Sequence, residues 1–524
     1  MLCLAGVLLP LLYLVLQIAS EEAVGQALWT PANRERLSRT LLLVVGVGGV
    51  TTLLAFPMAW LSAHSDLWLR RFWTVAAVLP LSIPGYVMAY GALSLGGDDG
   101  VLVRLLGSDS GWLAPLMTED AQGNRHLPRV SGYWGALAVL SLYNLPYLFL
   151  PLRAASAGVD PTLEEAAAVL GKSRAEIWIR VVVPQLLPAY LAGSLLVALH
   201  VLADFGVVSL MRYETLSAVL FSRFNTFDVP GAARLAVWLL MLAGALLAME
   251  MLLLRRLRVE RVGGGTRRSR PHRPLGWRQL PAAGLFAAVF LSGVLLPLAT
   301  ILFWLVRGWH AELGGEVMSA AWDSVRGSLP AAVIATALAI PIAMMRARYP
   351  SRIAFALERL PFVGYAVPGL AFALSLIMLV TAEATPDWIY DRLYQSLPLL
   401  VFAYSLHFLA ESIGPIRSSF YLVPHSLEEA ARTLGRTRLG VFGTVTMPLL
   451  SPGIAASTIL VFLSCVKELP LTMLLAPMGF ESLAMNVWNY SENVEFARAA
   501  PFALLIVACS ALFIALAQRV FPDG

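Results

Sequence analysis

Residues 162–167 read Thr-Leu-Glu-Glu-Ala-Ala, and residues 426–431 read Ser-Leu-Glu-Glu-Ala-Ala. The two stretches start 264 residues apart, and each is followed at the same spacing by a glycine, Gly171 or Gly435. The leucines and alanines of each stretch recur at helical spacing, which predicts a short helix with one apolar face. We expect the glycine to end that helix, because glycine adopts the left-handed conformation at little cost.

Both stretches also carry a signal for the start of a helix. Thr162 is followed three residues later by Glu165, and Ser426 is followed at the same distance by Glu429. This spacing predicts a capping box, in which the hydroxyl and the glutamate each accept a backbone N–H of the first turn. After each glycine we expect a second short segment that ends at a proline, where the next hydrophobic segment begins.

The flanking sequence repeats as well. The offset of 264 residues relates Pro184 to Pro448, and an offset of 284 relates Pro84 to Pro368 further upstream. The difference between the two offsets falls in the connection 96–132, and surface loops tolerate insertions. The chain is therefore predicted to consist of two homologous halves.

The composition indicates an integral membrane protein. Apolar residue types make up 58% of the 524 residues and charged types 14%, against about 45–50% and about 25% in soluble domains. A spanning helix needs about 20 mostly apolar residues, and the first such segment is read as a span because it has no basic region of a signal peptide. Twelve segments qualify, near residues 3–19, 39–62, 73–95, 133–152, 188–210, 231–254, 280–305, 323–345, 360–381, 397–416, 452–475 and 499–518.

The arginines predict the orientation and the domain boundaries. Residues 255–278 contain nine arginines and one glutamate, and short loops rich in arginine stay in the cytoplasm. We therefore predict a first repeat at 1–256, a basic cytoplasmic linker at 257–278 and a second repeat at 279–524, with both termini cytoplasmic. The fold class is all-α: about twelve transmembrane helices in two pseudo-symmetric six-helix repeats.

The Glu-Ala-Ala stretch, the glycine and the apolar run ending in proline together resemble the coupling loop of ABC importer permeases, and the chain carries two copies. The resemblance implies the type I importer permease fold and an ATPase that docks on these loops. It assigns this contact to Glu164, Glu165, Ala166, Gly171, Glu428, Glu429, Ala430 and Gly435. Glu165 and Glu429 have an alternative role, which is to cap the starts of the two helices. In that case Glu164 and Glu428 are freer to pair with an arginine of the ATPase.

The sequence contains no GxxxxGK[ST] phosphate-binding loop. ATP and Mg²⁺ are therefore expected on a partner, with no cofactor bound by this chain. The resemblance implies two copies of an ABC ATPase subunit and a periplasmic substrate-binding protein as partners, in the inner membrane of a bacterium. The lipid bilayer is the other expected partner, and no binding to nucleic acid is expected.

Charged residues inside predicted spans point to a transport pathway. Asp204 and Glu468 are related by the 264 offset, and each is followed closely by a helix breaker, Gly206 or Pro470. Carboxylates within a membrane usually face a bundle interior or a wet cavity. The predicted pathway residues are Asp204, Glu468, Glu411, Tyr213, Glu481 and Lys467.

The run Lys467-Glu-Leu-Pro-Leu-Thr472 resembles the ferric-iron branch of these permeases, and a hard trivalent cation favours carboxylate oxygen. Asp204 and Glu468 are therefore expected to contact the metal transiently. The alternative is that both carboxylates only cap broken helices and that Lys467 neutralises Glu468. Arg212 and Glu214, with Glu481, are expected to contact the binding protein.

Two other functions stay open from the sequence. The thiamine and polyamine importers share the architecture, so either substrate could replace iron. A secondary transporter driven by an ion gradient explains the repeat and the buried carboxylates, although it does not explain the paired loops. Since none of the seven histidines forms an HExxH motif, a metalloenzyme is not favoured.

Overall fold

The computed structural model describes residues 2–19, 28–97, 100–106, 117–119, 125–159, 161–256, 274–308 and 313–520. Most of the linker predicted at 257–278 lies outside these ranges. The described chain is almost entirely helical. Its strands are the two-residue pair β1 (Thr118–Glu119) and β2 (Arg125–His126), which run antiparallel.

The described residues of the first half form twelve α-helices. In chain order they are α1 (Leu2–Ala19), α2 (Pro31–His64), α3 (Arg70–Ala76), α4 (Gly85–Leu93), α5 (Val101–Leu106), α6 (Gly132–Ala157), α7 (Pro161–Val169), α8 (Arg174–Ile177), α9 (Val183–Ala203), α10 (Gly206–Leu210), α11 (Leu216–Asn225) and α12 (Val229–Arg256). A 3₁₀ turn at Leu79–Ser82 precedes α4, and a π turn at Trp178–Val182 joins α8 to α9.

The second half repeats this order. Its helices are α13 (Gln279–Phe290), α14 (Leu296–Gly308), α15 (Leu313–Arg348), α16 (Arg352–Ala366), α17 (Gly369–Val380), α18 (Asp387–Leu393), α19 (Leu397–His407), α20 (Leu409–Leu422), α21 (His425–Thr433), α22 (Arg438–Val441), α23 (Met447–Lys467), α24 (Pro470–Leu475), α25 (Leu483–Glu492) and α26 (Phe496–Val520). A 3₁₀ turn at Gly276–Arg278 precedes α13, and π turns at Leu291–Leu295 and Phe442–Thr446 interrupt the helices.

The predicted helical membrane architecture is confirmed. Seven helices of the described chain are long and apolar enough to cross a membrane, or ten spans if each of three bent helix pairs counts as one. Two shorter apolar helices, Gly6–Ala19 and Phe496–Leu512, lie at the first and last predicted positions. All twelve predicted segments thus coincide with an apolar helix or helix pair.

Two of the bent pairs have a common cause. The chain turns by 91° before Gly85 and by 99° before Gly369. Each glycine follows a proline, and a proline disfavours the helical conformation of the residue before it. Ile83 and Val367, which precede these prolines, accordingly have extended ψ angles of 115° and 129°.

The residues group into two compact units. One contains Met1–Thr30, Val219–Leu240 and Gly308–Gly524, and the other contains Pro31–Ala218 and Met241–Arg307. The first helix of each half therefore packs in the unit that holds most of the other half.

Specific contacts fix these two helices within their units. In the first unit α1 packs closely on α19 at Gly6, where an added Cβ would meet Phe402 at 3.1 Å. In the second unit the side chain of Gln279 accepts the N–H of Trp68 at 2.9 Å and donates to the backbone oxygen of Asp66 at 2.9 Å. These hydrogen bonds hold the start of α13 beside the end of α2.

Small residues line the centre of the first unit. Ala331, Ala335, Ala339 and Ala343 recur every fourth residue on α15 and are all fully buried. Small side chains let helix backbones approach closely, which is the main source of packing energy between helices in lipid. The cluster around Ala339 and Ala343 includes Leu409, Ile413, Ile416, Phe420, Val423 and Leu450.

Candidate functional sites

Two loops of matching structure connect long helices in the two halves. The first loop, residues 161–183, contains α7, α8 and a π turn, and the second loop, residues 425–447, contains α21, α22 and a π turn. Each loop leads directly into a 21-residue helix, α9 or α23.

The predicted glycine ends are confirmed. Gly171 has a φ of 76° and Gly435 a φ of 84°, values that favour glycine because it has no Cβ. The N–H of Gly171 donates to the oxygen of Ala168 at 3.0 Å, and the N–H of Lys172 donates to that of Ala167 at 3.1 Å. This pair of bonds is a Schellman motif, and it satisfies carbonyl groups that the helix end leaves open.

The predicted capping boxes at Thr162 and Ser426 are wrong. Helix α7 begins at Pro161, and α21 begins directly after Pro424. Both hydroxyl residues therefore lie inside the first turn. Pro161 takes the first helical position, where its fixed φ is favourable, and Pro424 takes the N-cap position of the other helix. A capping box occurs in the next helix instead, where Ser173 Oγ accepts the backbone N–H three residues later at 3.3 Å.

Large apolar side chains at the helix ends of both loops face outward. The exposed fractions are 88% for Val169, 79% for Leu170, 83% for Leu434 and 85% for Leu439. Covering such a side chain yields about 1.5–3 kcal/mol. The loops therefore offer apolar surface that a partner protein can bury.

Glu428 is bound within the chain. Its Oε1 accepts a hydrogen bond of 3.0 Å from Arg348 Nη2 and one of 3.1 Å from Thr446 Oγ1. The expectation that Glu428 is freer than Glu429 to reach a partner is therefore wrong: the Glu428 side chain is 13% exposed, whereas Glu429 is exposed.

The other residues predicted for the partner contact differ in their exposure. The exposed ones are Glu165, Ala166 and Ala430, and the half-buried one is Glu164. Each loop thus presents the second of its two glutamates, Glu165 or Glu429, to solvent.

A proline accompanies every π turn. The three turns, Trp178–Val182, Leu291–Leu295 and Phe442–Thr446, are each followed by one helical residue and then by a proline. Proline has no N–H to donate, and its ring clashes with the carbonyl four residues earlier. A wider turn relieves this clash, and the N–H of the residue before the proline reaches back five residues, as from Val183 to Trp178.

The π turns also correct one expectation. The second short segment of each loop was expected to end at a proline where a new span begins. Instead the helix runs through the proline without a break, over Arg174–Ala203 in the first half and Arg438–Lys467 in the second. Each loop is therefore mechanically continuous with a spanning helix.

Asp204 and Glu468 cap broken helices, and the predicted breaks are confirmed. Asp204 Oδ1 accepts the N–H groups of Val207 at 3.0 Å and Val208 at 3.2 Å. Glu468 Oε1 accepts the N–H of Leu471 at 3.1 Å. In each half the carboxylate thus holds the first turn of a short helix, α10 or α24, where negative charge is favourable.

A second helix start lies beside each carboxylate. A Cβ added to Gly85 would lie 3.7 Å from Asp204 Oδ2, and one added to Gly369 would lie 3.2 Å from Glu468 Oε1. These glycines are the first residues of α4 and α17. Two helix N-termini therefore converge on one half-buried carboxylate within each unit.

Glu411 forms a polar contact at a place where the first half has an aromatic stack. Its Oε2 accepts a hydrogen bond of 2.6 Å from Ser464 Oγ, and it interacts electrostatically with Lys467. At the equivalent positions of the first half, Tyr147 stacks on His200 with ring centroids 4.2 Å apart. The two halves thus differ in polarity at the same level of their spans.

The remaining predicted residues lie in connections outside the long helices. The hydroxyl of Tyr213 donates to the backbone oxygen of Arg39 at 3.2 Å, and Glu214 forms an ion pair of 3.6 Å with the same arginine. Arg212 and Glu481 are exposed. Across the described ranges, no three His, Cys, Asp or Glu side chains are grouped to hold a metal ion. Contact of Asp204 and Glu468 with a metal stays a prediction.

Several site residues were not found from the sequence. Arg348 and Thr446 lie 80 and 18 residues from Glu428 along the chain, and no spacing rule relates them. Gly369 was visible as part of a repeated Pro-Gly pair, but its position beside Glu468 requires the folded chain.

Comparison with known sequences gives a family and several relatives. Residues 52–264 and 338–523 match the family described as "Binding-protein-dependent transport system inner membrane component". The chain is 29% identical to the Fe(3+)-transport system permease protein FbpB 2 of Haemophilus influenzae, over 98% of this chain and 95% of that protein. It is 34% identical to the inner membrane ABC transporter permease protein YdcU of Escherichia coli, over 36% of this chain and 60% of that protein. It is 26% identical to the sulfate transport system permease protein CysT of Escherichia coli, over 44% of this chain and 80% of that protein.

Proposed function

The chain belongs to the binding-protein-dependent transport system inner membrane components, with the family domain present twice, and we propose that it is the translocation subunit of a ferric-iron importer. It is an ABC importer permease of the inner membrane, made of two repeats. The substrate, the partner stoichiometry and the cytoplasmic placement of both termini are part of the proposal.

One observation carries the choice of iron. The iron permease of Haemophilus influenzae aligns over 95% of its length with 98% of this chain, so it shares the fused two-repeat architecture. The sulfate relative aligns with 44% of the chain. A relative that matches both repeats and their connection is the better guide to the substrate.

The carboxylates within the spans support a cationic substrate. Each unit places one carboxylate, Asp204 or Glu468, at the break between a spanning helix and a short helix. Hard trivalent cations prefer carboxylate oxygen, and transporters often use broken helices at the substrate site. We propose that Asp204 and Glu468, with Glu411 and Lys467 close to Glu468 along the same unit, set the charge of the passage.

The two loops support an external energy source. We propose that two copies of an ABC ATPase subunit bind ATP and Mg²⁺, dock on the two loops and move them when they close. Glu165 and Glu429 would meet basic residues of the ATPase, while Leu170 and Leu434 would fill its apolar grooves. The chain itself hydrolyses no ATP in this proposal.

A periplasmic binding protein would deliver the substrate on the opposite side. We propose Arg212, Glu214 and Glu481 as its contacts, with Tyr213 behind them. This protein would select the substrate, and the permease would need only a weakly binding acidic passage. Movement of the loops would then expose the carboxylates of each unit alternately to the two sides.

The test is ATP hydrolysis by the permease–ATPase complex in lipid, titrated with its binding protein loaded with ferric iron, sulfate, thiamine or a polyamine. Stimulation by the iron-loaded protein alone supports the proposal. Stimulation by another loaded protein keeps the importer and excludes iron. A chain that transports without any ATPase would instead be a secondary transporter.

The double variant Gly171→Asp with Gly435→Asp provides the control for the loops. Both glycines have positive φ and open space around an added Cβ, so the change adds a negative charge at each helix end without a clash. Loss of stimulation with retained membrane insertion would place the coupling in these loops.

A further inference from the structure

We infer that Arg348 is a positioning residue for energy coupling: through Glu428 it holds the second loop in a fixed orientation on the spanning helices. This inference rests on the proposed function, because it names the contact that carries movement of the loop into the membrane. Arg348 is the last residue of α15, and Glu428 lies in the first turn of α21.

The contact joins three elements of the same unit. Arg348 Nη2 is 3.0 Å from Glu428 Oε1 and also donates to the backbone oxygen of Val423 at 3.0 Å. Glu428 Oε1 accepts a second bond from Thr446 of the π turn at 3.1 Å. The guanidinium carbon lies 5.9 Å from the ring centre of Phe420. One carboxylate oxygen thus ties the loop helix α21 to the end of α15 and to the start of the helix that reaches Glu468.

Burial makes this ion pair different from those on the protein surface. The side chains of Arg348 and Glu428 are 9% and 13% exposed. An exposed pair is screened by solvent and holds its side chains weakly, whereas removal of one partner of a buried pair leaves an uncompensated charge. The pair therefore resists rotation of α21 relative to α15.

In the first half, different residues connect the loop to the preceding long helix. By the repeat offsets, His64 stands where Arg348 stands and Val182 stands where Thr446 stands. The ring of His64 stacks on Trp60 with centroids 3.9 Å apart, and Trp60 lies 5.0 Å from Trp178 of the π turn. Aromatic packing thus joins the π turn to the end of α2 in the first half, and an ion pair joins α21 to the end of α15 in the second.

The charge contact of the second loop can therefore be tested by substitution. If α21 turns freely, ATPase closure moves the loop without moving α15 and α23, so ATP is consumed with less transport. The relevant quantity is therefore the number of substrate molecules imported per ATP hydrolysed. A purely structural role would change the amount of folded protein but not this ratio.

The experiment uses the full permease–ATPase complex in proteoliposomes with whichever loaded binding protein stimulates it. The variants are Arg348→Ala, Arg348→Lys, Glu428→Gln and the exchange Arg348→Glu with Glu428→Arg. We expect Arg348→Ala and Glu428→Gln to lower the transport-to-ATP ratio about tenfold, as loss of a typical coupling free energy would. Arg348→Lys and the exchanged pair should recover most of the ratio, while ATPase binding and thermal stability are recorded for every variant.

Arg359→Ala is the matched control. Arg359 also lies over an aromatic ring, that of Phe355, at 5.2 Å, but it is exposed and belongs to α16, outside both loops. As a surface substitution it should change the ratio by no more than about twofold.

Two results would overturn the inference. One is a wild-type ratio in Arg348→Ala. The other is loss of ATPase binding in Arg348→Ala without recovery in Arg348→Lys or the exchanged pair, since Arg348 would then only maintain the folded loop. If no loaded binding protein stimulates the wild-type complex, it is the proposed function that fails, and this is seen before any variant is made.

Discussion

Glu411 accepts a hydrogen bond of 2.6 Å from Ser464, at two positions where the first half instead stacks Tyr147 on His200. The second half therefore has a carboxylate where the first has an aromatic pair. Because the Lys467 ammonium acts electrostatically on Glu411, removal of the carboxylate charge should have a measurable cost.

We predict that Glu411→Gln destabilises the protein. The amide keeps the bond to Ser464 but removes the negative charge near the Lys467 ammonium, so we expect a loss of about 1 kcal/mol. Thermal unfolding in detergent measures the effect. The double variant Glu411→Gln with Lys467→Met should recover stability, and a double variant as unstable as the single one would contradict the charge pairing.

A second prediction separates the two roles of Asp204. Asn at this position still accepts the N–H groups of Val207 and Val208, so Asp204→Asn should unfold close to the wild-type temperature, whereas Asp204→Ala should lose about 1 kcal/mol with the cap. Iron uptake should fall in both variants if the charge contacts the substrate. Full uptake by Asp204→Asn would show that the carboxylate is only a helix cap.

The same comparison applies to Glu468 in the second half. Glu468→Gln keeps an acceptor for the N–H of Leu471, and Glu468→Ala does not. The pair of variants should reproduce the behaviour of the Asp204 variants, with a stability difference of about 1 kcal/mol. Uptake and unfolding measured on all four variants would show whether the two carboxylates act alike.

Gly435 provides a prediction about backbone conformation. Its φ is 84° with no atom within 4 Å of an added Cβ, so a side chain meets strain but no clash. Gly435→Ala should cost about 1–2 kcal/mol for the left-handed conformation, whereas Gly435→Asn should cost less because asparagine tolerates that region. ATPase binding is expected to weaken in the same order. Equal binding by both variants would exclude a role for this helix end in docking.

The exposed leucines test the docking surface itself. Leu170→Glu and Leu434→Glu should fold normally, since these side chains are 79% and 83% exposed. Each should raise the Kd for the ATPase by about tenfold or more, the effect of losing an interface anchor. Pull-down of the ATPase from lipid nanodiscs measures this loss. Unchanged binding in both variants would mean that the ATPase covers another surface.

The sequence predicted the parts of this structure that depend on local physics. The twelve apolar segments, the left-handed glycines Gly171 and Gly435 and the breaks after Asp204 and Glu468 follow from hydropathy and from the conformations that glycine and proline allow. The capping boxes failed because Pro161 is the first residue of one helix and Pro424 is the N-cap residue of the other, and both prolines were visible in the sequence.

Contacts between distant parts of the chain were not predictable in this way. Glu428 was expected to face a partner, yet Arg348, 80 residues earlier, binds it inside the chain. One side of α21 is buried by α15 and the π turn, and no periodicity within α21 shows which of two adjacent glutamates faces inward.

The π turns have a consequence for labelling experiments on the helices Arg174–Ala203 and Arg438–Lys467. A single wide turn holds one residue more than an α-helical turn, and each residue of an α-helix corresponds to a rotation of about 100°. In a cysteine-accessibility scan, the periodic pattern of water-exposed positions should therefore shift by one residue in each helix. The shift should occur at Val182 in the first helix and at Thr446 in the second. A helical wheel that treats either helix as an unbroken α-helix would place the water-exposed residues beyond the π turn on the wrong face.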